Sequence, residues 1–489
     1  MHVRSVAYVL GVMILITAGA MILPLVSTFF YEENDRSSLL ISLLLISGVG
    51  LPLWLQKPEN FSFRMRDAIV VAVLGWILIP GLSALPFIIH GSIPSLTDAI
   101  FEMVSGFTTT GATILDDIEF LPHGLLFWRS ETQFLGGIGV LVLTLAFLPQ
   151  VMGVTQIFRV PISRETVHTR ERPLNLNPEL LAFVLGIYLA LNTCMMLMLY
   201  FGGMSFFDSI CHAFGTIATA GFSTRNESLG FYGSAYMEWV TMLFMFLGGI
   251  NFVLYFHLLK RHWNSLSENT ELKWYFWITI FFCALVSLLL HHESTAESLW
   301  DSVRMGSFHV ISMLTTTGLF SSDYQLWSHT VQMQFIAVCL IGACAGSTTS
   351  GIKIVHYAII WKYVVLNIKK IFFDHHAIAP IRLNHKSVEP YAVNMTLCFF
   401  TANMFLIFIG ACILVLLDRL DFHSSISMVI ATLMNIGPGF DVSGPTGNYA
   451  HLSDPAKWFL AFMMLVGRLE MFSVFVILAP SFWRQAAKD

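Results

Sequence analysis

SGFTTTGAT (105–113) is the stretch on which the reading of this chain turns, because variants of it recur. TAGFST (219–224), TTTGLF (315–320) and NIGPGF (435–440) repeat its Thr/Gly or Asn/Gly turn, with glycines at 111, 221, 318 and 437. The gaps between those glycines are 110, 97 and 119 residues. Each copy follows a short apolar stretch and precedes a long one. Four similar units at this spacing point to one central axis, and in a membrane such an axis is where a pore lies.

The composition puts the units in a membrane. Of 489 residues, 56% are hydrophobic and 12% charged, against about 25% charged in soluble domains. Apolar runs reach the roughly 20 residues needed to cross a bilayer. The net charge of -5 carries no information for such a chain. The basic residues form no aromatic-interleaved patch, so nucleic-acid binding is not expected. The opening apolar stretch runs about 25 residues, longer than the 7–15 of a signal-peptide core, and reads as a retained first span. The seven cysteines (Cys194, Cys211, Cys283, Cys339, Cys344, Cys398, Cys412) lack metal-ligand spacing and read as small core residues.

The fold class follows: an all-α polytopic membrane protein, with four pseudo-fourfold-related helix–pore helix–filter–helix repeats after two N-terminal transmembrane helices. The expected segments are 1–60 for the two opening helices, 61–160, 161–265, 266–386 and 387–489 for the repeats. Long spans are expected at 5–30, 37–56, 68–90, 125–150, 178–202, 235–259, 273–290, 329–365, 390–417 and 457–480. The short helices between them, near 96–108, 206–218, 299–315 and 423–434, hold about 12–16 residues, too few to span. They read as re-entrant, so each turn after them should line a protein- or water-filled cavity.

A second glycine motif follows each turn: FLGGIG at Gly136, FLGGIN at Gly248, LIGACAG at Gly342 and LVGRLE at Gly467. These lie 25, 27, 24 and 30 residues beyond the turn glycines. Packing alone would use such glycines, but the matched spacing favours four equivalent inner helices. Lysine and arginine concentrate in alternate connectors, including Arg159, Arg164, Arg170, Arg172, Lys369 and Lys370. The positive-inside rule then puts both termini in the cytoplasm and the four turns near the outer face. The connectors 151–177 and 366–388 would face inward, as a docking surface or as solvated loops.

The turns carry the chemistry. A dehydrated potassium ion needs several oxygens, which converging backbone carbonyls supply. Glycine permits the positive φ that aims consecutive carbonyls at one axis. The short helices point their negative C-terminal ends at the same place. The candidate filter is Thr109, Thr110, Gly111; Thr219, Ala220, Gly221; Thr316, Thr317, Gly318; and Asn435, Ile436, Gly437. The four turns share a single glycine and differ otherwise, so moderate selectivity is expected, with rubidium accepted and sodium partly excluded.

The motifs SGFTTTGAT (105–113), ATAGFST (218–224), GACAGST (342–348), NIGPGF (435–440) and VGRLE (466–470) resemble the Trk/Ktr/HKT superfamily of cation transporters, closest to its bacterial TrkH and TrkG branch. The likeness covers nearly the whole chain. It implies a homodimeric potassium uptake protein of the bacterial inner membrane. It also implies a cytoplasmic regulatory ring, TrkA, that binds NAD(H) and adenine nucleotides. This chain has no phosphate-binding fingerprint, so those nucleotides would belong to the partner. Potassium is the one ion expected on the chain itself.

Two gates are candidates. The segment 329–365 is too long for one straight span, at about 37 residues. GACAGSTTSG (342–351) lies in its middle. Gly342, Gly346 and Gly351 allow a break that Ser347, Thr348, Thr349 and Ser350 can solvate; a packing kink is the plain reading. The resemblance makes this stretch an intramembrane loop that obstructs conduction beneath the filter. Thr349 and Ser350 stand where glycine or other small residues are expected of it. Lys353 follows, to pair with an acid or face the cytoplasm. Arg468 sits mid-span, where a charge costs at least about 2.5–3.5 kcal/mol and must face protein or water. It is either half of a buried ion pair or, as the resemblance implies, an electrostatic barrier in the pore. Glu470, two positions on, faces another side of the helix and is a poor local partner.

Asp116, Asp117, Glu119, Asp323 and Asp441 follow the turns and form either an attractive mouth or a solvated rim. Asp98 and Asp208 suit the starts of the short helices. His291–His292 and His375–His376 fall in connectors and read as solvated pairs. A gated, channel-like pathway competes with a coupled potassium symporter. Parallel rather than inverted repeats, and no deep acid besides Glu470, favour the pathway. A membrane enzyme would need a nucleophile or metal cluster, and none is visible.

Overall fold

The computed structural model describes residues 2–59, 63–146, 178–261, 263–295, 297–372, 380–384 and 386–486. Among them the chain is almost entirely helical, and the sheet is one two-residue pair, Arg382–Leu383 against Lys386–Ser387. Among the described residues six helices are long and apolar enough to cross a membrane: Val3–Tyr31, Arg36–Trp54, Arg66–His90, Pro178–Phe201, Thr270–His292 and Pro390–Asp418. His123–Ala146 is as long but buries Arg129 and Glu131. The connector 151–177 and His375–His376 lie outside the described residues.

Two expected straight spans are bent. Ala235–Gly248 meets Phe252–Leu259 at 92°, and Asp454–Arg468 meets Glu470–Leu478 at 115°. The first break follows Gly248–Gly249, and Asn251 caps the second half by accepting the Val253 N–H at 2.9 Å. The second falls at Leu469–Glu470, with Glu470 at φ 53°. Segment 329–365 is divided into His329–Cys339 and a helix starting at Ile354. Such breaks are tolerated at membrane depth only where protein satisfies the freed backbone, and all three breaks adjoin one loop described below.

The short helices are Leu96–Phe107, Phe206–Ile217, Leu299–Leu314 and Phe422–Leu433. At 1.5 Å per residue none covers the ~30 Å hydrocarbon core. Ser95, Ser205 and Ser298 cap the first three, each accepting from the N–H of the aspartate three residues on (Asp98, Asp208, Asp301). Asp421 caps the fourth. A capping oxygen with a first-turn carboxylate satisfies orphan N–H groups and suits the positive helix end.

The helices close in a cycle. His123–Ala146 packs on Phe206–Ile217, Ala235–Gly248 on Leu299–Leu314, and His329–Cys339 on Phe422–Leu433. Asp454–Arg468 returns to Leu96–Phe107. The opening helix Val3–Ala20 packs on Arg36–Trp54 and Met65–Ser83, outside that cycle. Cys211, Cys339 and Cys344 are buried as expected of core residues, whereas Cys194 and Cys398 are exposed, because they lie on outward faces of their long helices.

Candidate functional site

All four short helices end in the same way. Thr109, Thr219, Thr316 and Asn435 adopt left-handed φ of 50°, 52°, 51° and 53°. Their N–H groups donate to Gly106, Thr216, Met313 and Thr432 at 3.0–3.2 Å. The next residue donates back to the helix in each case: Thr110 to Ser105, Ala220 to Gly215, Thr317 to Ser312 and Ile436 to Ala431, all at 2.8 Å. This paired ending satisfies the last carbonyls of a helix. The sequence reading assigns the positive φ to glycine alone. Instead two residues per turn are left-handed, the glycine two positions later having φ of 85°, 80°, 79° or 97°. A threonine held there costs on the order of 1–3 kcal/mol, which the two hydrogen bonds offset.

The glycines explain how the turns meet. A methyl on Gly111 would collide with the carbonyl oxygen of Ala220, on Gly221 with that of Thr317, on Gly318 with that of Ile436, and on Gly437 with that of Thr110. Each missing side chain therefore makes room for the carbonyl just before the next glycine, around a closed ring. Asn435 Nδ2 joins the last turn to the first, donating to Thr110 Oγ1 at 2.8 Å. On one side of the ring opens a vestibule lined by all four glycines with Asp116, Arg225 and Tyr449.

Buried side chains brace the ring from behind, and the sequence reading did not single them out. Glu102, His212 and His309 each lie nine residues before their turn glycine. Glu102 accepts Thr113 Oγ1 at 3.0 Å and the Ile114 N–H at 2.9 Å, and pairs with Arg129 at 2.6 Å. Arg129 also donates to the Ser223 carbonyl at 3.0 Å, with its guanidinium 3.5 Å from the Phe222 ring centre. His212 Nε2 faces Ser223 Oγ at 3.1 Å, and His309 Nε2 faces the Ser322 carbonyl at 3.1 Å. Gln133 Nε2 donates to the Ala220 carbonyl at 2.8 Å. The shared offset of nine was the available signal, obscured because the residue types differ.

On the other side of the ring lies 342–351. Its ends meet: the Gly342 N–H donates to Ile352 O at 2.9 Å. Gly346 and Gly351 have φ of 77° and 76°. The loop satisfies the first bent helix, Cys344 donating to Gly249 O at 3.1 Å and Gly346 O accepting from Phe252 at 3.0 Å. Glu271 accepts the Ala345 N–H at 2.7 Å. Ser347, Thr348, Thr349 and Ser350 are all buried. Thr348 Oγ1 donates to Ile217 O at 2.9 Å and lies 3.3 Å from Thr219 Oγ1. The Ser350 N–H donates to Thr316 Oγ1 at 3.0 Å. The loop thus hangs directly from two of the four turns.

Two buried cations hold it. Arg468, the last residue before the 115° bend, donates through Nη1 to Thr348 O and Ser350 Oγ, both at 2.8 Å. Lys353 donates to Thr349 O, to Thr349 Oγ1 at 3.1 Å and to Ser350 O at 3.4 Å, so it turns inward rather than toward bulk water. Among the described residues Glu470 Oε2 and Arg468 Nη2 have no hydrogen-bond partner.

The remaining acids act mainly as braces. Asp98 pairs with Lys457 at 2.6 Å, and Arg225 bridges Asp208 and Glu119, each at 3.2 Å. Asp116 accepts from Asn448, Asp117 from Asn226, Asp323 from the Gln325 N–H and Asp441 from Ser424. No group of three or more His, Cys, Asp or Glu placed to hold a metal ion occurs among the described residues.

A ring of four helix-ending turns above a clamped loop, inside a bundle of apolar helices, is the architecture of a membrane cation-transport protein. Residues 38–485 match the TrkH family, described as a cation transport protein, and the chain belongs to that family. It is 31% identical to the Trk system potassium uptake protein TrkH of Salmonella typhimurium over 491 residues, 99% of this chain and 100% of that one. It is also 31% identical to the Trk system potassium uptake protein TrkG of Escherichia coli, over 99% of both chains. The crystal structure of the potassium transporter TrkH from Vibrio parahaemolyticus superposes with a TM-score of 0.87 at 28% identity, covering 99% of this chain and 100% of that one.

Proposed function

We propose that this chain is a potassium uptake protein of the bacterial inner membrane, and that ions cross it through the ring of four turns by a gated, channel-like path. The observation that carries the reading is the ring itself: four turns of one geometry, each glycine admitting its neighbour's carbonyl. Carbonyls of Thr109, Thr110 and Gly111, and of their counterparts at 219–221, 316–318 and 435–437, replace the hydration shell of a dehydrated cation. Each short helix brings about half a negative charge to the same point, which favours a cation and excludes anions.

Only one glycine recurs in every turn, and Gln133 already holds the Ala220 carbonyl. Few ion sites can therefore stack, so potassium and rubidium pass and sodium is partly excluded. Control falls below the ring. Residues 342–351 obstruct the path, and Arg468 adds a fixed positive charge there. A homodimer, with a TrkA-like cytoplasmic ring carrying NAD(H) and adenine nucleotides, completes the system; the basic connectors 151–177 and 366–388 are its docking surface, with both termini on that side. The five segments 1–60, 61–160, 161–265, 266–386 and 387–489 are the corresponding structural units.

Rubidium uptake into liposomes containing the purified chain tests the reading. Uptake inhibited by potassium and only weakly by sodium is expected; equal sodium and potassium permeation contradicts it. Coupled transport is the alternative, and Glu470, with one buried oxygen unpartnered, is the carboxylate it would use. Uptake that loses its dependence on a pH gradient in Glu470→Gln would favour that alternative.

A further inference from the structure

We infer that the hydroxyls of Thr109, Thr219 and Thr316 form an innermost cation site at the base of the ring, and that the loop 342–351 closes by competing with the ion for it. The inference rests on the conducting path proposed above and adds how that path is regulated by its own cargo. The three threonines are equivalent in the four turns and share one left-handed backbone conformation. All three are buried. The loop engages two of their hydroxyls in different ways: Thr316 Oγ1 accepts the Ser350 N–H at 3.0 Å, whereas Thr219 Oγ1 donates, to the Ala218 carbonyl at 2.7 Å and to Thr348 Oγ1 at 3.3 Å. The third, Thr109 Oγ1, is fully buried with no hydrogen-bond partner among the described residues. A buried hydroxyl oxygen left without a partner carries a cost on the order of 1–3 kcal/mol, and a cation in reach of it would remove that cost.

Asn435 breaks the pattern. Its amide nitrogen is committed to Thr110 Oγ1 at 2.8 Å and to Met464 O at 2.9 Å, and its Oδ1, also without a hydrogen-bond partner among the described residues, is packed over Gly467, so it serves as a brace and the site has three hydroxyls rather than four. The chemistry of the loop fits the substitution. An N–H dipole on Thr316, backed by the Arg468 guanidinium on Thr348 O and Ser350 Oγ, supplies positive charge where a dehydrated monovalent cation would supply it. Ion and loop therefore exclude each other. An ion that binds only when the loop is withdrawn shifts the closed–open balance by one plus its concentration over its dissociation constant, about tenfold at ten times that constant.

The test is closed-state occupancy of the purified full chain in planar bilayers. Potassium is varied symmetrically, with N-methylglucamine holding ionic strength constant. The ratio of closed to open time should fall by about tenfold as potassium rises to ten times its dissociation constant. Thr109→Val removes an ion ligand that makes no hydrogen bond to the loop, so it should flatten the potassium dependence while the loop still closes. Thr349→Val loosens the loop by removing the hydroxyl that meets Ser347 Oγ at 2.7 Å and Lys353 Nζ at 3.1 Å, neither of them a site oxygen; it should lower the closed fraction at every potassium concentration and keep the slope. A closed fraction independent of potassium in the unaltered protein, with current flowing, overturns the inference. So does an unchanged potassium dependence in both Thr109→Val and Thr316→Val. Absence of any current or rubidium flux overturns the conducting path itself, and the inference with it.

Discussion

Gly318 illustrates how much of the path depends on single side chains being absent. A methyl there would meet Ile436 O and, at 2.8 Å, Pro438 Cδ, in a backbone already at φ 79°. Strain of this kind is worth on the order of 1–3 kcal/mol, and it would push a ring carbonyl off the axis. Gly318→Ala is expected to cut rubidium flux by at least about tenfold while the protein still purifies as a folded species; undiminished flux would remove the ring from the path. Arg468 tests the opposite direction. Its bonds to Thr348 O and Ser350 Oγ are charge-assisted, and such bonds contribute about 1.5–3 kcal/mol each. Arg468→Ala removes both the clamp and a positive charge, and several-fold faster rubidium uptake should follow. Unchanged uptake by folded protein would leave Arg468 as a packing element only.

At the scale of elements, the apolar runs and the Thr/Gly turns were legible because length and punctuation are local properties. The long helices and the four short ones fall within a few residues of the sequence expectation. The repeated S-x-x-D start at Ser95, Ser205 and Ser298 was legible too, though the sequence reading singles out only Asp98 and Asp208 and leaves out Asp301. The bends were not. Gly248–Gly249 reads equally well as a packing surface, and the 92° turn there exists because residues far along the chain, Cys344 and Gly346, satisfy the opened backbone. Partners more than ninety residues away leave no local trace. The same holds for Lys353, whose inward turn depends on the loop's fold. Asn251 gives the element-scale prediction. Losing its cap costs about 1 kcal/mol and loosens the seat of the loop. Asn251→Ala should therefore raise basal flux about two- to fivefold and lower thermal stability slightly; flux unaffected by the change would separate the bend from the gate.

For the molecule as a whole, the cycle must be closed between distant parts of one chain rather than between identical subunits. The Asp98–Lys457 pair, the Asn435–Thr110 bond and the packing of Asp454–Arg468 on Leu96–Phe107 make that closure. Glu102 and Arg129, both fully buried, hold the first turn to the second. Breaking a buried pair by neutralising one partner costs about 3–5 kcal/mol. Glu102→Gln should accordingly lower the melting temperature in detergent by several degrees and broaden ion selectivity; an unshifted melting curve would show the pair to be dispensable. Charge placement also differs between the two faces of the ring, with a vestibule on one and two buried cations on the other. That asymmetry suits a path in which selection and control are separate steps. On the channel-like path proposed above both steps are passive, so the gradient alone should set the direction of flow. The measurement that decides this is the reversal potential of the reconstituted protein under a fixed potassium gradient while the pH gradient is varied. Reversal near the potassium equilibrium potential at every pH gradient is the predicted result. A reversal potential that moves with the proton gradient would contradict a channel-like path and establish coupled transport instead.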